Sequence, residues 1–162
     1  IISTEAGLYR YDLEDRVRVT GWLGGLPRLR FVGKAGNVLN ATGEKVTEEQ
    51  VAEVCRRVFP GAVGVSLSLG WGEVPWFNVA VEGEGGSAEE LDQGLRAINL
   101  EYDSKRDTAR LGLPRLVSLP TGRFAAYKAE RVARGAPEAQ VKDPWILDEK
   151  RWKMLVEGQW KD

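Results

Sequence analysis

Alternating apolar and polar residues predict a β-hairpin near the start of the chain. In 17–20 and again in 28–31, apolar residues alternate with arginine or threonine, and Gly24-Gly25 separates the two runs. The arginines of the outer face are interpreted most simply as solvated positions. Residues 33–36 contain two glycines that break the alternation, so a boundary is predicted there, either an ordinary loop or a hinge.

After this boundary, the pattern of apolar residues predicts helices as well as strands. Residues 38–39 form a minimal strand, and Thr47 with Gln50 predicts a capping box at the start of a helix whose apolar face runs through 51–58. Between 63 and 69, every second residue is valine or leucine and the residues between them are small, as in a half-buried strand. Residues 77–81 are expected to form a strand that pairs with this one across the intervening loop.

A second capped helix and a further strand are predicted next. Ser87 with Glu90 predicts another capping box and a helix with Leu91, Leu95, Ile98 and Tyr102 on one face, and 116–119 form a last strand. The order βαββαβ predicts an α+β fold of the ferredoxin-like type, an antiparallel sheet with two helices on one face. Beyond it, a tail is predicted: a helix from a Thr121 cap to Arg134 that Gly135-Ala136-Pro137 ends, a loop, and a terminal helix at 152–156.

Composition narrows the possible functions. The 162 residues have a net charge of −1 and 43% hydrophobic residues, which suits a core but not a nucleic-acid surface, and no apolar run reaches membrane-spanning length. The chain lacks histidine, which excludes a Ser-His-Asp triad and the commonest zinc sites. Its one cysteine, Cys55, fits a reducing compartment such as the cytoplasm and is interpreted as a core residue.

The residues alone leave the candidate chemistry open. Asp12, Glu14 and Asp15 place three carboxylates in one turn, and Asp15 on its own reads as a turn residue or the start of a strand. Lys142 on its own reads as an exposed loop lysine. Trp145, Trp152 and Trp160 are interpreted as packing anchors, because stacking aromatics would alternate with basic residues on a strand.

The amino-acid sequences of four segments resemble the motifs of one protein family. Residues 7–17 read G-L-Y-R-Y-D-L-E-D-R-V and resemble the G-L-Y-R-Y-R-L-G-D-V signature of the Gretchen Hagen auxin-responsive family of acyl-acid-amido synthetases, ligases that form acyl-adenylates. Residues 27–34 resemble the strand that leads into the hinge of that family. Residues 37–49 resemble its V-L-N…D-K-T-x-E-E segment, and 122–144 its closing G-T-F…R-G-A…Q-x-K-x-P.

This resemblance implies a domain organisation. A large adenylate-forming domain would precede the chain, which opens without methionine and is expected to be a piece of a longer protein. Residues 1–33 would be a hairpin remnant of that upstream domain, 34–37 a hinge, and 38–162 a mobile C-terminal domain. The piece alone is expected to be inactive.

The resemblance also implies roles for four residues. Lys142 would be catalytic, Asp15 would bind the ribose of ATP with Arg10 in support, and Lys34 would be a hinge residue; no metal-ligating residue is assigned. ATP and Mg²⁺ would bind through the missing domain, and the substrates would be a carboxylic acid and an amine or amino acid. No nucleic acid and no membrane is expected as a partner.

The sequence departs from the family pattern near these positions. Glu14 stands in place of glycine, Asp12 in place of a common arginine, and Trp145 in place of an arginine, while Asp143 follows Lys142 where a small polar residue is typical. The added negative charge would have to be offset by Mg²⁺ or an arginine. The competing hypothesis is a non-catalytic ferredoxin-like binding or regulatory module. An RNA-recognition module of the same topology is disfavoured by the missing surface aromatics and the acidic balance.

Overall fold

A computed structural model describes residues 3–7, 9–10, 15–34, 38–136 and 143–158, with the backbone alone at 15–16 and 31–34. The chain divides into two compact units, Ile1–Val38 and Leu39–Asp162. Within the described ranges, no helix is long and apolar enough to cross a membrane.

The first unit contains the predicted hairpin. Strand β1 (Asp15–Leu23) pairs antiparallel with strand β2 (Leu26–Lys34). Gly24 and Gly25 join the strands with φ angles of 54° and 82°, a left-handed conformation that glycine adopts without strain and that matches the twist of the two strands. The prediction of the hairpin and of its turn is therefore confirmed.

The second unit mixes helices and strands, as the α+β prediction requires. The described elements after the hairpin, in chain order, are β3 (Val38–Leu39), β4 (Val46–Thr47), α1 (Glu48–Val58), β5 (Gly61–Gly70), β6 (Trp76–Glu84), α2 (Ala88–Ile98), α3 (Leu100–Asp107), β7 (Arg115–Leu119), α4 (Arg123–Ala133) and α5 (Glu149–Glu157).

The two predicted caps begin helices α1 and α2. Thr47 Oγ1 accepts a hydrogen bond from Gln50 N at 3.3 Å, and Gln50 Oε1 accepts one from Thr47 N at 3.0 Å, so the capping box is complete in both directions. Ser87 Oγ accepts from Glu90 N at 3.1 Å. These local signals fix where both helices start.

The predicted single helix from 88 to 102 is wrong, because Asn99 divides it. Asn99 ends α2 in an extended conformation and caps α3, with its side-chain oxygen accepting from Tyr102 N at 2.8 Å. Leu91, Leu95 and Tyr102 are nevertheless buried, as their spacing predicted. The asparagine turns the chain while keeping the apolar face towards the core.

The main sheet has the order β5-β6-β7. Strands β5 and β6 are antiparallel, with Leu67 opposite Val79, which confirms that predicted pair. Strand β7 lies parallel to β6, with Leu116 opposite Val79. The sheet is therefore mixed, and the prediction of a wholly antiparallel sheet is wrong.

The ferredoxin-like order is not confirmed. It requires the first strand to lie between β6 and β7, but Val38–Leu39 has two residues and pairs with Val46–Thr47 in a separate small sheet. The helical connection through α2 and α3 therefore brings β7 directly beside β6, as in an ordinary crossover between parallel strands.

Helices cover both faces of the main sheet. Helices α1 and α2 pack on one face, as predicted, where they share a core with α3 and with the odd-numbered residues Phe77, Val79 and Val81 of β6. Ala80 faces the other side, because neighbouring strand residues alternate, and packs with Phe124, Tyr127, Met154 and Leu155. The predicted tail thus forms a second layer, with α4 and α5 closing a second core.

Strand β5 departs from the predicted half-buried pattern for two reasons. A register shift between Ala62 and Gly64 turns Val63 outward, and its side chain is 72% exposed. Ser66 and Ser68, predicted on the solvent face, are buried because the second helical layer covers them.

Helix α4 begins with a different cap from the predicted one. Gly122 is the N-cap residue, with φ of 84°, and no side chain at that position caps the helix. The carboxylate of Glu82, from β6, accepts from Gly122 N at 2.6 Å and from Phe124 N at 2.7 Å instead. A buried anion thus binds the positive end of the helix in place of Thr121.

Candidate functional site

The open end of the hairpin joins two of the residues that the sequence singled out. Asp15 and Lys34 are Cα partners in the β1–β2 register, so their backbones lie on neighbouring strands. Adjacent strands are about 4.8 Å apart. The structure therefore brings the expected ribose ligand and the expected hinge residue together at the level of the backbone.

Arg10 lies in the preceding turn and is exposed. Its φ of 49° is uncommon for a residue with a side chain, and its backbone N–H donates to Ser3 Oγ at 3.0 Å. A second turn bond, from Gly7 N to Thr4 O at 3.2 Å, lies in the same segment. Local hydrogen bonds therefore constrain the backbone that carries the arginine.

Lys142, with Gln140 and Val141, lies outside the described residues, and the last described residue before it is Ala136. Helix α4 ends where the sequence predicted, at Gly135, whose φ is 92°. Ala136 N donates to Arg131 O at 3.1 Å and Gly135 N to Val132 O at 2.9 Å. This pair of bonds is a Schellman motif, which satisfies the last carbonyls of the helix.

The chain after Lys142 is fastened to the edge of the main sheet. Leu67 N donates to Trp145 O and Leu147 N to Leu67 O, both at 2.8 Å, so Ile146 forms a parallel bridge to β5. Ser66 Oγ also donates to Pro144 O at 2.5 Å. The 143–148 segment therefore adds one bridge residue beside β5 and holds the following chain in a fixed register.

Tryptophans anchor this segment and the last helix, as the sequence predicted. Trp145 packs against the core of α1 and α2, and the guanidinium of Arg56 lies 5.2 Å from the centroid of its ring. Trp152 packs in the core of α4 and α5. Trp160 lies outside the described residues.

Sequence reasoning missed three buried acidic residues. Glu82 caps α4, and Glu44 accepts from Ala41 N, Thr42 N and Thr42 Oγ1 at 2.6, 2.7 and 3.0 Å. Asp92 accepts from Tyr102 Oη at 2.7 Å and pairs with Arg106 at 2.6 Å. Of the three, only Glu82 carried a signal in the sequence, because it directly follows the apolar run Val79-Ala80-Val81.

The hydrogen bond between Asp92 and Tyr102 joins α2 to α3 inside the core. Burial, with the hydrogen bond to Asp92, raises the pKa of Tyr102 far above its usual range. The hydroxyl is therefore neutral and serves as a donor within the α2–α3 core.

Cys55 is confirmed as a core residue. It is 1% exposed, and burial raises the pKa of its thiol to about 12. We expect iodoacetamide to leave Cys55 unmodified in the folded protein at pH 8 and to alkylate it completely in urea, because the reactive thiolate forms only after unfolding. Mass spectrometry of the intact chain measures this, and rapid alkylation without urea would contradict the buried position.

The fold matches part of larger solved structures. One structure of the GH3.15 acyl acid amido synthetase superposes with a TM-score of 0.81 at 18% identity, covering 99% of this chain and 32% of that chain. A second structure of this synthetase, in complex with 2,4-DB, superposes with a TM-score of 0.75 at 16% identity. The fold is thus that of about a third of such a synthetase.

Sequence comparison supplies the family. Residues 72–151 match the GH3 family C-terminal domain, and residues 1–34 match the GH3 family central domain. A jasmonoyl–L-amino acid synthetase from Nicotiana attenuata is 27% identical over 96% of this chain. An indole-3-acetic acid-amido synthetase from Arabidopsis thaliana is 39% identical over 32% of it. The chain belongs to the GH3 family, the Gretchen Hagen family that its motifs resemble, and spans 29% of the length of the first of these relatives.

Proposed function

We propose that the chain is the C-terminal part of an ATP-dependent acyl-acid-amido synthetase. The complete enzyme would adenylate a carboxylic acid and then transfer the acyl group to an amine or amino acid. The observation that carries this proposal is the match to two GH3 domains in one chain. The position of Asp15 opposite Lys34, where one domain match ends, supports it.

The chemistry explains why a lysine and a carboxylate would be needed. Adenylation sets a carboxylate against the α-phosphate of ATP, so charge that builds on the phosphate oxygens must be neutralised. Lys142 would supply a mobile positive charge on a long stem. Asp15 would accept hydrogen bonds from the ribose hydroxyls and fix the position of the nucleotide, with Arg10 in a supporting role.

Mg²⁺ would share the phosphate charge when ATP is bound. In the described ranges, no group of three or more His, Cys, Asp or Glu side chains is placed to hold a metal ion. The nucleotide phosphates and the upstream part of the enzyme would hold it in this proposal, and no step here depends on a metal ligand from this chain.

The proposed division of labour places residues 1–33 with the upstream domain, a hinge at 34–37, and a mobile domain at 38–162. It is supported by the boundary between the two compact units, which falls between Val38 and Leu39. The mobile domain would carry Lys142 towards the nucleotide for adenylation and away from it for amide formation.

The decisive experiment is pyrophosphate exchange by the complete enzyme. With a panel of carboxylic acids, an acid-dependent exchange of labelled pyrophosphate into ATP would identify adenylation, and added amino acids would then yield amides. An enzyme that carries both GH3 domains and exchanges no pyrophosphate with any acid would leave the binding-module hypothesis in its place.

The isolated chain is expected to fold but to bind ATP more weakly than micromolar and to form no product. The adenine pocket and most phosphate ligands would lie upstream, so the chain offers only a ribose contact and charges of its own. Isothermal titration calorimetry measures this. A micromolar or tighter ATP affinity would contradict the proposed division of labour.

A further inference from the structure

Ser66 is a buried serine that connects β5 to the 143–148 segment. Its side chain is 0% exposed, and its Oγ donates to Pro144 O at 2.5 Å. The neighbouring bonds between Leu67 and the same segment are made by backbone groups, which almost any residue would supply. The contact between Ser66 and Pro144 is therefore the part of this fastening that depends on which amino acid is present.

Pro144 follows two residues after Lys142, which itself lies outside the described residues. The proline ring fixes φ near about −65° and disfavours the helical conformation of the residue before it, here Asp143. Two residues of extended chain span at most about 7 Å. A restraint on Pro144 therefore passes through a short and stiff connection to the backbone of Lys142.

The residues that follow Pro144 keep the segment from sliding along β5. Ile146 packs in the core with α1 and α2, whereas Leu147 packs in the core with α4 and α5. A shift of one residue would exchange these side chains between the two faces of the sheet. Loss of the Ser66 hydroxyl should therefore loosen Pro144 locally and leave the register of the segment unchanged.

We propose that Ser66 is a positioning residue for adenylation, which acts on Lys142 through Pro144. This inference rests on the proposed function, in which Lys142 meets the α-phosphate region of ATP. The effect of a positioned charge depends on its place, and a misplacement of about 1 Å can cost about 100-fold in rate. Loss of the Ser66 bond should cost less than this, because the backbone bonds of Leu67 remain.

Ser66→Ala in the complete enzyme is expected to slow adenylation about 3- to 10-fold, a range that corresponds to the net contribution of one hydrogen bond. Attack of the amine on supplied acyl-adenylate should change little, because Lys142 would have moved away by then. In the Lys142→Ala background, Ser66→Ala should slow adenylation no further, since a positioning residue has no effect without the group that it positions. Single-turnover kinetics of both half-reactions measures these rates.

Ser68→Ala is the matched control. Ser68 lies two positions along β5 on the same face and is 2% exposed, and within the described 143–158 range no residue accepts a hydrogen bond from its side chain. Its replacement removes the same atom at similar burial. It should therefore leave both half-reactions unchanged.

Amide hydrogen exchange in the chain alone tests the fastening separately from activity. Ser66→Ala should speed exchange of the Leu147 amide, which donates to Leu67 O, by about the same factor of 3 to 10, because local opening becomes easier. Ser68→Ala should not change this rate. Unchanged exchange in Ser66→Ala would remove the physical basis of the proposal, whatever the complete enzyme does.

In the complete enzyme, three results would overturn the proposal: adenylation unchanged by Ser66→Ala, equal slowing of both half-reactions, or further slowing of the Lys142→Ala enzyme. The second and third results would make Ser66 a structural residue. An enzyme that exchanges no pyrophosphate with any acid would contradict the proposed function and this inference with it. Normal pyrophosphate exchange that Ser66→Ala leaves unaffected would contradict the inference alone.

Discussion

Lys142→Ala in the complete enzyme is expected to slow adenylation by about 100- to 1,000-fold, a barrier increase of roughly 2.7–4 kcal/mol by analogy with the loss of an oxyanion-hole donor. The reason is that its ammonium would meet the α-phosphate region mainly while charge is developing. Binding of ATP in the ground state should change far less.

The second half-reaction provides the internal control. If the domain has rotated by then, attack of the amine on a chemically prepared acyl-adenylate should be little affected by Lys142→Ala. Single-turnover kinetics of both steps measures the difference. Equal losses in the two steps would make Lys142 structural, and no loss in either would return it to an exposed loop lysine.

Asp15→Ala should behave differently in the same assays. A ribose contact is made in the ground state and the transition state alike, so its loss should appear mainly as weaker ATP binding with a nearly unchanged rate at saturation. A large fall in the rate at saturating ATP would argue against a ribose contact.

Glu82→Gln is expected to destabilise the second unit by about 1.5–3 kcal/mol, the usual worth of a hydrogen bond to a charged group. The carboxylate is 3% exposed and accepts from both Gly122 N and Phe124 N. The amide of glutamine keeps one acceptor oxygen and turns a donor towards the other N–H. The helix end would also lose a favourable negative charge.

Urea unfolding followed by tryptophan fluorescence measures this effect, with Glu84→Gln as the matched control. Glu84 lies two positions along the same strand and is exposed, so its replacement should change the free energy of unfolding very little. Equal stability of the two variants would show that the buried carboxylate does not hold α4.

The sequence predicted correctly those helix ends and turns that are determined by residues close to them in the chain. Caps at Thr47 and Ser87, the Gly24-Gly25 turn and the stop at Gly135 each act within a few residues, so one sequence suffices to find them. Asn99 belongs to the same class, because a helix N-cap residue in the middle of an apolar face could have been recognised.

The sheet order and the second layer required information that no local pattern holds. Val38–Leu39 pairs with Val46–Thr47 and does not enter the main sheet, and two residues are too few for periodicity to decide between these partners. The cap of α4 comes from Glu82, 40 residues before Gly122, where a local cap from Thr121 looked sufficient.

The candidate site shows the same difference between what local sequence predicts and what depends on distant residues. Asp15 and Lys34 were singled out by family motifs, since a single acidic turn residue or lysine carries no chemical signal by itself. Their pairing follows from the turn, because both strands have nine residues, and the two register shifts within the hairpin cancel.

The fastening of Pro144 to Ser66 sets an order of assembly. These partners are 78 residues apart, so the second face of the sheet is not fully covered until α4, the 143–148 segment and α5 have been synthesised. The side chains of β5 and β6 on that face are small or polar (Ser66, Ser68, Asn78, Ala80 and Glu82), and β7 adds the apolar Val117 and Leu119. The face therefore offers other chains only a small apolar surface while it is uncovered, which helps the nascent domain tolerate a late closing step.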